Sequence, residues 1–200
     1  MLARLGEVSA ASVTQPEFVV ITGGPGSGKT TVIEALAGLG YRTVPEAAIQ
    51  VIEELNQELG LEGQKRWRAA HTGRFQDRVL DLQIELEKNC STAPGFVFLD
   101  RGRLDGLAYL RHFGGGASSE QLDRIGEVGY SHVFLLATLR SFSERGASGR
   151  TSRRADSLAI AKRIEEVYRE SGYQPVALPQ MPPADRVAFI LAKIGVGSGG

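Results

Sequence analysis

A glycine-rich segment that ends in a lysine and a threonine has the residue types and spacing of a phosphate-binding loop. It spans residues 23–30 and reads Gly-Gly-Pro-Gly-Ser-Gly-Lys-Thr. Glycines let the backbone turn tightly enough for successive N–H groups to point at one phosphate, and the Gly-x-x-x-x-Gly-Lys-Thr spacing is that of a P-loop. The residues expected to contact a nucleoside triphosphate are Gly23, Gly24, Pro25, Gly26, Ser27, Gly28, Lys29, Thr30 and Thr31.

Two residues at the end of this segment have separate predicted roles. Lys29 is placed to bridge the β- and γ-phosphate oxygens of ATP, and the hydroxyl of Thr30 is the expected protein ligand of Mg²⁺. The flanking sequence favours a P-loop over a glycine-rich surface loop. Residues 18–21 are an apolar run typical of a buried parallel strand, and a helical pattern after the loop ends at Gly40.

Asp100 is the next candidate, because it ends a second apolar run at residues 96–100. A carboxylate at the end of a strand beside the P-loop strand can hold Mg²⁺ and contribute to catalysis; the alternative is an N-cap of the following helix. The next residue is Arg101, where many ATPases have a glutamate that activates water. The absence of that glutamate favours phosphoryl transfer to a hydroxyl group over hydrolysis. Arg101 can bind a phosphate or an anionic substrate group, or it is a surface arginine. Asp105, four residues further on, can line the acceptor pocket, but structural pairing with Arg101 is favoured.

Two further catalytic candidates are Glu46 and Arg150. Glu46 follows a predicted strand at residues 41–44, and it can accept a proton from a substrate hydroxyl; the alternative is an early-helix carboxylate that the helix dipole favours. Residues 141–154 are polar and rich in arginine and glycine. They predict a lid that closes over ATP, with Arg150 as the first candidate to meet the transferring phosphoryl group. The alternative is a solvated basic loop.

Strand-like and helix-like segments alternate along the rest of the chain. Ser118 is a predicted N-cap with Gln121 completing a capping box, and Asp156 is a predicted cap of a later helix. The predicted strands are 18–21, 41–44, 96–100, 132–136 and 175–178. The predicted helices after the first are 46–59, 64–89, 103–113, 119–128, 156–170 and 184–194.

Length and composition narrow the classes of protein. The 200 residues suit one α/β domain, and the 23 basic and 23 acidic side chains cancel, which argues against nucleic acid as a partner. No apolar run is long enough to span a membrane, and a single cysteine with three separated histidines gives no disulfide or metal cluster. We expect a cytoplasmic protein with a disordered extension over 1–16, one domain over 17–195 and a flexible tail over 196–200.

Four stretches, residues 20–31, 40–48, 98–102 and 183–190, resemble an AAA-type family of P-loop proteins. The family includes the kinase domain of bacterial ribosylnicotinamide kinases and a nucleotide-binding protein of TRP-channel translocation in animals. This resemblance implies a three-layer α/β P-loop NTPase fold. It also implies a five-stranded parallel sheet of order 2-3-1-4-5, as in nucleoside and nucleoside-monophosphate kinases, with a lid after the fourth strand.

Two functional hypotheses follow from these residues. The first is a Mg²⁺-dependent phosphotransferase that uses ATP to phosphorylate a small hydroxylated metabolite such as a nucleoside. The second is a nucleotide-dependent switch or binding module, or an ATPase, without small-molecule kinase activity. The sequence contains no Asn-Lys-x-Asp tetrad that reads guanine. This favours ATP over GTP as the nucleotide.

Overall fold

Five parallel strands form one sheet in the described part of the chain, which in this computed structural model comprises residues 15–90, 93–126, 129–139 and 154–196. The strands are β1 (Pro16–Thr22), β2 (Arg42–Val44), β3 (Gly95–Asp100), β4 (Tyr130–Leu136) and β5 (Val176–Leu178). Across the sheet the strand order is β2-β3-β1-β4-β5, and each neighbouring pair is parallel. The predicted order is therefore confirmed.

Helices cover both faces of this sheet, because alternate strand residues point to opposite sides. The helices are α1 (Lys29–Gly38), α2 (Ala47–Ala70), α3 (Thr72–Cys90), α4 (Arg103–His112), α5 (Ser119–Ile125), α6 (Arg154–Glu170) and α7 (Pro183–Lys193). In β1, Val20 belongs to the apolar cluster beneath α3, α4 and α6, whereas Val19 and Ile21 belong to the cluster beneath α1 and α7. The three-layer prediction is confirmed.

The α2 segment consists of two helical parts that meet at Gly60. Gly60 has a non-helical backbone (φ 72°, ψ 168°) and kinks the chain there, which agrees with the predicted helix end at residue 59. A further break falls at His71 (φ −131°, ψ 47°), so the prediction of one helix over 64–89 is wrong. The periodic apolar residues of this stretch begin at Phe75, and the nearest glycine, Gly73, lies inside α3, so the sequence pattern does not mark this break.

Of the two predicted helix N-caps, the one of α5 is confirmed and the one of α6 is wrong. Ser118 caps α5 and accepts a hydrogen bond from the Gln121 backbone N–H, as the capping box predicts. Asp156 does not cap α6, which begins two residues earlier at Arg154 and has Asp156 in its first turn.

Among the described residues, no helix is long and apolar enough to cross a membrane.

Some predictions fall on residues outside the described part of the chain. They include residues 1–14 of the expected N-terminal extension and 197–200 of the expected tail. Residues 140–153 also lie outside, and with them Arg150 and all of the predicted lid except Arg154. These expectations stay predictions.

Candidate active site

The predicted site residues of the described chain meet at the carboxyl edge of the sheet. The segment 23–28 follows β1 directly, and α1 begins at Lys29. Asp100 ends β3, which pairs with β1, and Glu46 follows β2, which pairs with β3 on its other side. Open parallel sheets bind ligands at this edge. The strand order alone therefore brings Lys29, Asp100 and Glu46 to one side of the molecule.

Two glycines of the loop allow contacts that a side chain would block. A Cβ on Gly23 would lie 2.5 Å from the Leu136 carbonyl oxygen, and a Cβ on Gly24 would lie 2.3 Å from the carbonyl oxygen of Ser157 in α6. The loop is therefore packed against β4 and the first turns of α6. Ser157 was not predicted as a site residue, because no local pattern marks this contact.

The start of α1 presents backbone donors to the loop. Gly28 is the N-cap with a left-handed backbone (φ 81°, ψ 27°), and no side chain caps the helix there. The first N–H groups of a helix lack intrahelical partners and carry the positive end of its dipole. Together with the exposed residues Thr30 and Thr31, these N–H groups form an anion-binding end of the helix.

Lys29 is buried against the loop that precedes it. Its Nζ donates to the carbonyl oxygens of Gly23 (3.2 Å) and Gly24 (3.1 Å) and to Ser27 Oγ (3.3 Å). The ammonium group therefore lies on the concave side of the loop. That position agrees with the predicted contact to β- and γ-phosphate oxygens, which remains a prediction.

The Thr30 and Asp100 side chains contact each other, as a shared metal site requires. Thr30 Oγ1 donates to Asp100 Oδ2 at 3.2 Å. The second oxygen of this buried carboxylate, Oδ1, has no hydrogen-bond partner among the described residues. Burial raises the pKa of Asp100, and the charge of Glu46 raises it further, whereas Lys29 and Arg101 lower it.

These two side chains fit Mg²⁺. The ion is bound in phosphate-handling sites by one or two protein oxygens, with waters and substrate phosphates completing an octahedron. The described residues contain no group of three or more His, Cys, Asp or Glu that would form an all-protein cage. One hydroxyl and one carboxylate with a spare oxygen match the mode that depends on phosphates.

Arg101 is buried and joins two carboxylates. Its Nη1 donates to Asp105 Oδ1 at 2.9 Å, and its Nε lies 3.2 Å from Glu46 Oε1 in an ion pair without hydrogen-bond alignment. The backbone of Arg101 has φ 78°, unusual for a residue other than glycine. Its N–H donates to the Ile21 carbonyl oxygen of β1 at 3.1 Å. The left-handed turn thus sends the side chain back over the sheet edge.

The pKa of Arg101 depends on its burial and on the charged groups around it. Burial has the largest effect and lowers the pKa of Arg101, but the carboxylates of Glu46 and Asp105 and the hydroxyl of Tyr109 outweigh it and raise the pKa well above its usual value. The guanidinium also lies over the Tyr109 ring, 5.4 Å from its centroid. Arg101 is therefore not the surface arginine of the alternative interpretation. Its predicted contact with an anionic substrate group remains a prediction.

Asp105 anchors this pair, as the structural pairing predicted from its spacing to Arg101 requires. Its carboxylate accepts from Thr22 Oγ1 (2.6 Å) and Tyr168 OH (2.9 Å), besides Arg101. It also accepts from the Gly102 N–H at 3.1 Å, at the start of α4. One buried carboxylate thus connects β1, α4 and α6 to Arg101, and it fixes the arginine that faces Glu46.

Glu46 is buried although it precedes a helix. It is the N-cap residue of α2, but its side chain makes no capping hydrogen bond. Its position at the start of α2 agrees with the early-helix interpretation, and its carboxylate also forms a buried ion pair with Arg101. Its predicted contact with a substrate hydroxyl stays a prediction.

A P-loop between the central strand and α1, in a parallel sheet of this order, defines the class of P-loop NTPases. A family model described as an AAA domain matches residues 18–186. The chain belongs to this family. The resemblance inferred from the sequence is thereby confirmed.

Solved structures with the same fold include kinases of nucleosides and nucleotides. Thymidylate kinase from Ehrlichia chaffeensis aligns over 90% of this chain and 98% of its own, with a TM-score of 0.63 and 13% identity. Deoxyadenosine kinase from M. mycoides with bound dATP aligns over 89% and 99%, with a TM-score of 0.58 and 14% identity. The NadR protein in complex with NAD and AMP-PNP aligns over 92% and 51%, with a TM-score of 0.62 and 14% identity. Comparison with curated proteins finds no significant match.

Proposed function

We propose that this protein is a Mg²⁺-dependent phosphotransferase that moves the γ-phosphoryl group of ATP to a hydroxyl group of a small metabolite such as a nucleoside. The observation that carries the proposal is the buried pair of Glu46 and Arg101 beside Asp100. In this proposal Glu46 is the carboxylate that meets the acceptor hydroxyl. The pair also places an arginine where a hydrolytic ATPase would carry a water-activating glutamate.

The order of the strands supports separate positions for the nucleotide phosphates, the metal and the acceptor. The phosphate loop follows β1, the metal carboxylate Asp100 ends β3, and Glu46 follows β2. Because β3 lies between β1 and β2, Asp100 lies between the donor phosphates and Glu46. In an in-line transfer the acceptor oxygen approaches the γ-phosphorus opposite the leaving oxygen, and this order of sites leaves room for that approach from the side of Glu46.

Each residue then has a role that its contacts permit. Lys29 binds β- and γ-phosphate oxygens, and backbone N–H groups of the loop and α1 bind the β-phosphate. Thr30 and Asp100 would hold Mg²⁺, which when bound neutralises developing phosphate charge. Glu46 accepts the proton of the acceptor hydroxyl. Arg101, fixed by Asp105, holds the Glu46 carboxylate in place.

The lid belongs to the same proposal. Arg150, with Arg154 and Arg145 as further candidates, brings guanidinium charge to the transferring phosphoryl group when residues 141–154 close over ATP. Arg154, the first residue of α6, donates to the Leu139 carbonyl oxygen at 2.9 Å. The start of α6 is thereby tied to the chain that leaves β4, next to the loop.

The proposal is tested by measuring ADP formation from Mg²⁺ and ATP with and without a panel of nucleosides and other hydroxylated metabolites. We expect one class of acceptor to raise the rate at least about tenfold, since a positioned base contributes on the order of 10²-fold or more. Glu46→Gln should remove this stimulation, and Glu53→Gln, on an exposed part of α2, should keep it. A rate that no acceptor raises would contradict the proposal and favour an ATPase or switch.

A further inference from the structure

Three successive carbonyl groups of the P-loop accept hydrogen bonds from elements outside it. The donors belong to α6, to the segment after β4 and to α7, so the loop is braced from three directions. The bonds run from Ser157 Oγ to the Pro25 oxygen (2.5 Å), from the Leu139 N–H to the Gly26 oxygen (3.2 Å) and from Arg186 Nη1 to the Ser27 oxygen (2.5 Å).

These three hydrogen bonds also determine where the N–H groups of the next residues point. In a planar trans peptide, the carbonyl of one residue and the N–H of the next point in opposite directions, and the described residues contain no cis peptide bond. Carbonyls drawn outward therefore turn the following N–H groups inward. Lys29 Nζ lies on that inner side, against the Gly23 and Gly24 oxygens.

Arg186 differs from the other two donors because it carries a charge. Only 2% of the residue is exposed, and its Nε and Nη2 have no hydrogen-bond partner among the described residues. None of the described acidic side chains forms an ion pair with it. A buried guanidinium without a counterion is unfavourable, and burial correspondingly lowers the pKa of Arg186. An anion at the loop would compensate this charge.

The position of Arg186 relates that charge to one peptide of the loop. A Cβ added to Gly28 would lie 3.3 Å from Arg186 Nη1, so the guanidinium contacts the back of the Ser27–Gly28 peptide unit. Gly28 is also the N-cap of α1. The peptide that Arg186 holds is therefore the one from which the helix N-terminus begins.

We infer that Arg186 is a positioning residue for the β-phosphate of the nucleotide. It holds the Ser27 carbonyl outward so that the Gly28 N–H points into the loop, and its positive charge lies behind that peptide. The inference rests on the nucleotide site of the proposed function and extends that site to α7, 159 residues away in sequence. Ligands that have a β-phosphate depend on Arg186, and AMP does not.

The test compares ATP, ADP and AMP binding to wild type, Arg186→Gln and Arg186→Lys. Calorimetry measures ATP and ADP, and competition measures AMP. We expect Arg186→Gln to weaken ATP and ADP about tenfold, the size of one charge-assisted hydrogen bond, and to change AMP less than twofold. Arg186→Lys should recover part of the loss, since it keeps the charge. Lys193→Gln removes an exposed cation from the same helix and should change nothing.

A purely structural role predicts a different result. Partial unfolding lowers the affinity of all three nucleotides equally, so the ratio of ADP to AMP affinity within one preparation separates the two roles. An unchanged ratio in both Arg186 variants would overturn the inference. If Arg186→Gln does not fold, the ratio in Arg186→Lys decides, and it must fall at least threefold. Wild-type protein that binds no nucleotide would instead refute the proposed function.

Discussion

Lys29 Nζ donates to three groups of its own loop, the Gly23 and Gly24 carbonyl oxygens and Ser27 Oγ. We therefore expect Lys29→Ala to leave the fold intact and to weaken ATP binding at least about 50-fold, since two charge-assisted hydrogen bonds to phosphates are lost. Calorimetric titration with Mg²⁺ and ATP measures the loss. The matched control is Lys65→Ala, which removes a lysine from an exposed ion pair with Glu62. ATP binding as tight as in wild type would refute the phosphate assignment.

Thr30 offers a test of the metal site in which only one hydroxyl changes. Because Thr30 Oγ1 contacts Asp100 Oδ2, Thr30→Ala should raise the Mg²⁺ concentration needed for half-maximal activity about tenfold, within the range for lost metal-site interactions. Thr30→Ser keeps the oxygen and should behave as wild type does. Magnesium titrations of both variants at fixed ATP give the answer. Equal requirements in the two variants would exclude Thr30 as a ligand.

The residues that the sequence predicted are those with a local pattern. The P-loop is contiguous, and Asp100 and Glu46 were found because each follows a strand. The pairing of Asp105 with Arg101 was also predicted, but its contact to Thr22, 83 residues away, was not. Ser157 and Arg186 were missed as site residues, because their contacts to Pro25 and Ser27 span 132 and 159 residues. Such contacts depend on how α4, α6 and α7 pack on the sheet, which periodicity does not specify.

At the scale of elements, Gly102 sets the distance between the start of α4 and the aromatic core. A Cβ there would lie 2.7 Å from Tyr168 OH and 2.9 Å from the Tyr130 ring. We expect Gly102→Ala to lower the free energy of unfolding by about 2 kcal/mol through overpacking.

Gly38, at the end of α1, provides the control for Gly102→Ala. Gly38 has no atom within 4 Å of an added Cβ, so Gly38→Ala should change the free energy of unfolding by less than about 0.5 kcal/mol or raise it slightly. Urea unfolding of both variants provides the comparison. Similar losses in the two would show that the Gly102 contact does not limit packing.

The lid arginines make a kinetic prediction. An arginine that meets developing phosphoryl charge acts mainly in the transition state. Arg150→Ala should therefore lower kcat on the order of 10²-fold or more while the affinity for ATP changes much less. Arg154→Ala and Arg145→Ala should have smaller effects. Equal losses of rate and affinity would make these arginines uniform binders, and no loss would return them to a solvated loop.

Element types were more predictable than element boundaries. The five strands and their order followed from apolar runs and the family resemblance. The break at His71 did not, because neither neighbour of His71 is a glycine or a proline and Gly73 lies inside α3, whereas the expected helix end at Gly60 is present as a non-helical kink. Helix continuity there depends on packing of the two helices through a shared apolar cluster that includes Ile52 and Phe75.

For the molecule as a whole, the sheet order separates two tasks along one edge. Nucleotide phosphates belong to β1 and α1, and the proposed acceptor chemistry belongs to the ends of β3 and β2. The buried contacts of Arg101 and Asp105 join these parts to α4 and α6. A kinase requires this arrangement because the acceptor must reach the γ-phosphate while water is excluded.

The fate of the γ-phosphoryl group tests the central claim most directly. The protein is incubated with Mg²⁺, γ-labelled ATP and an extract of small metabolites, and the label is separated into phosphorylated metabolites and inorganic phosphate. We expect most of the label in a phosphate ester of one hydroxylated metabolite, and none in that ester with Lys29→Ala. Steady release of labelled inorganic phosphate, with no labelled metabolite, would contradict the claim that this protein is a small-molecule kinase.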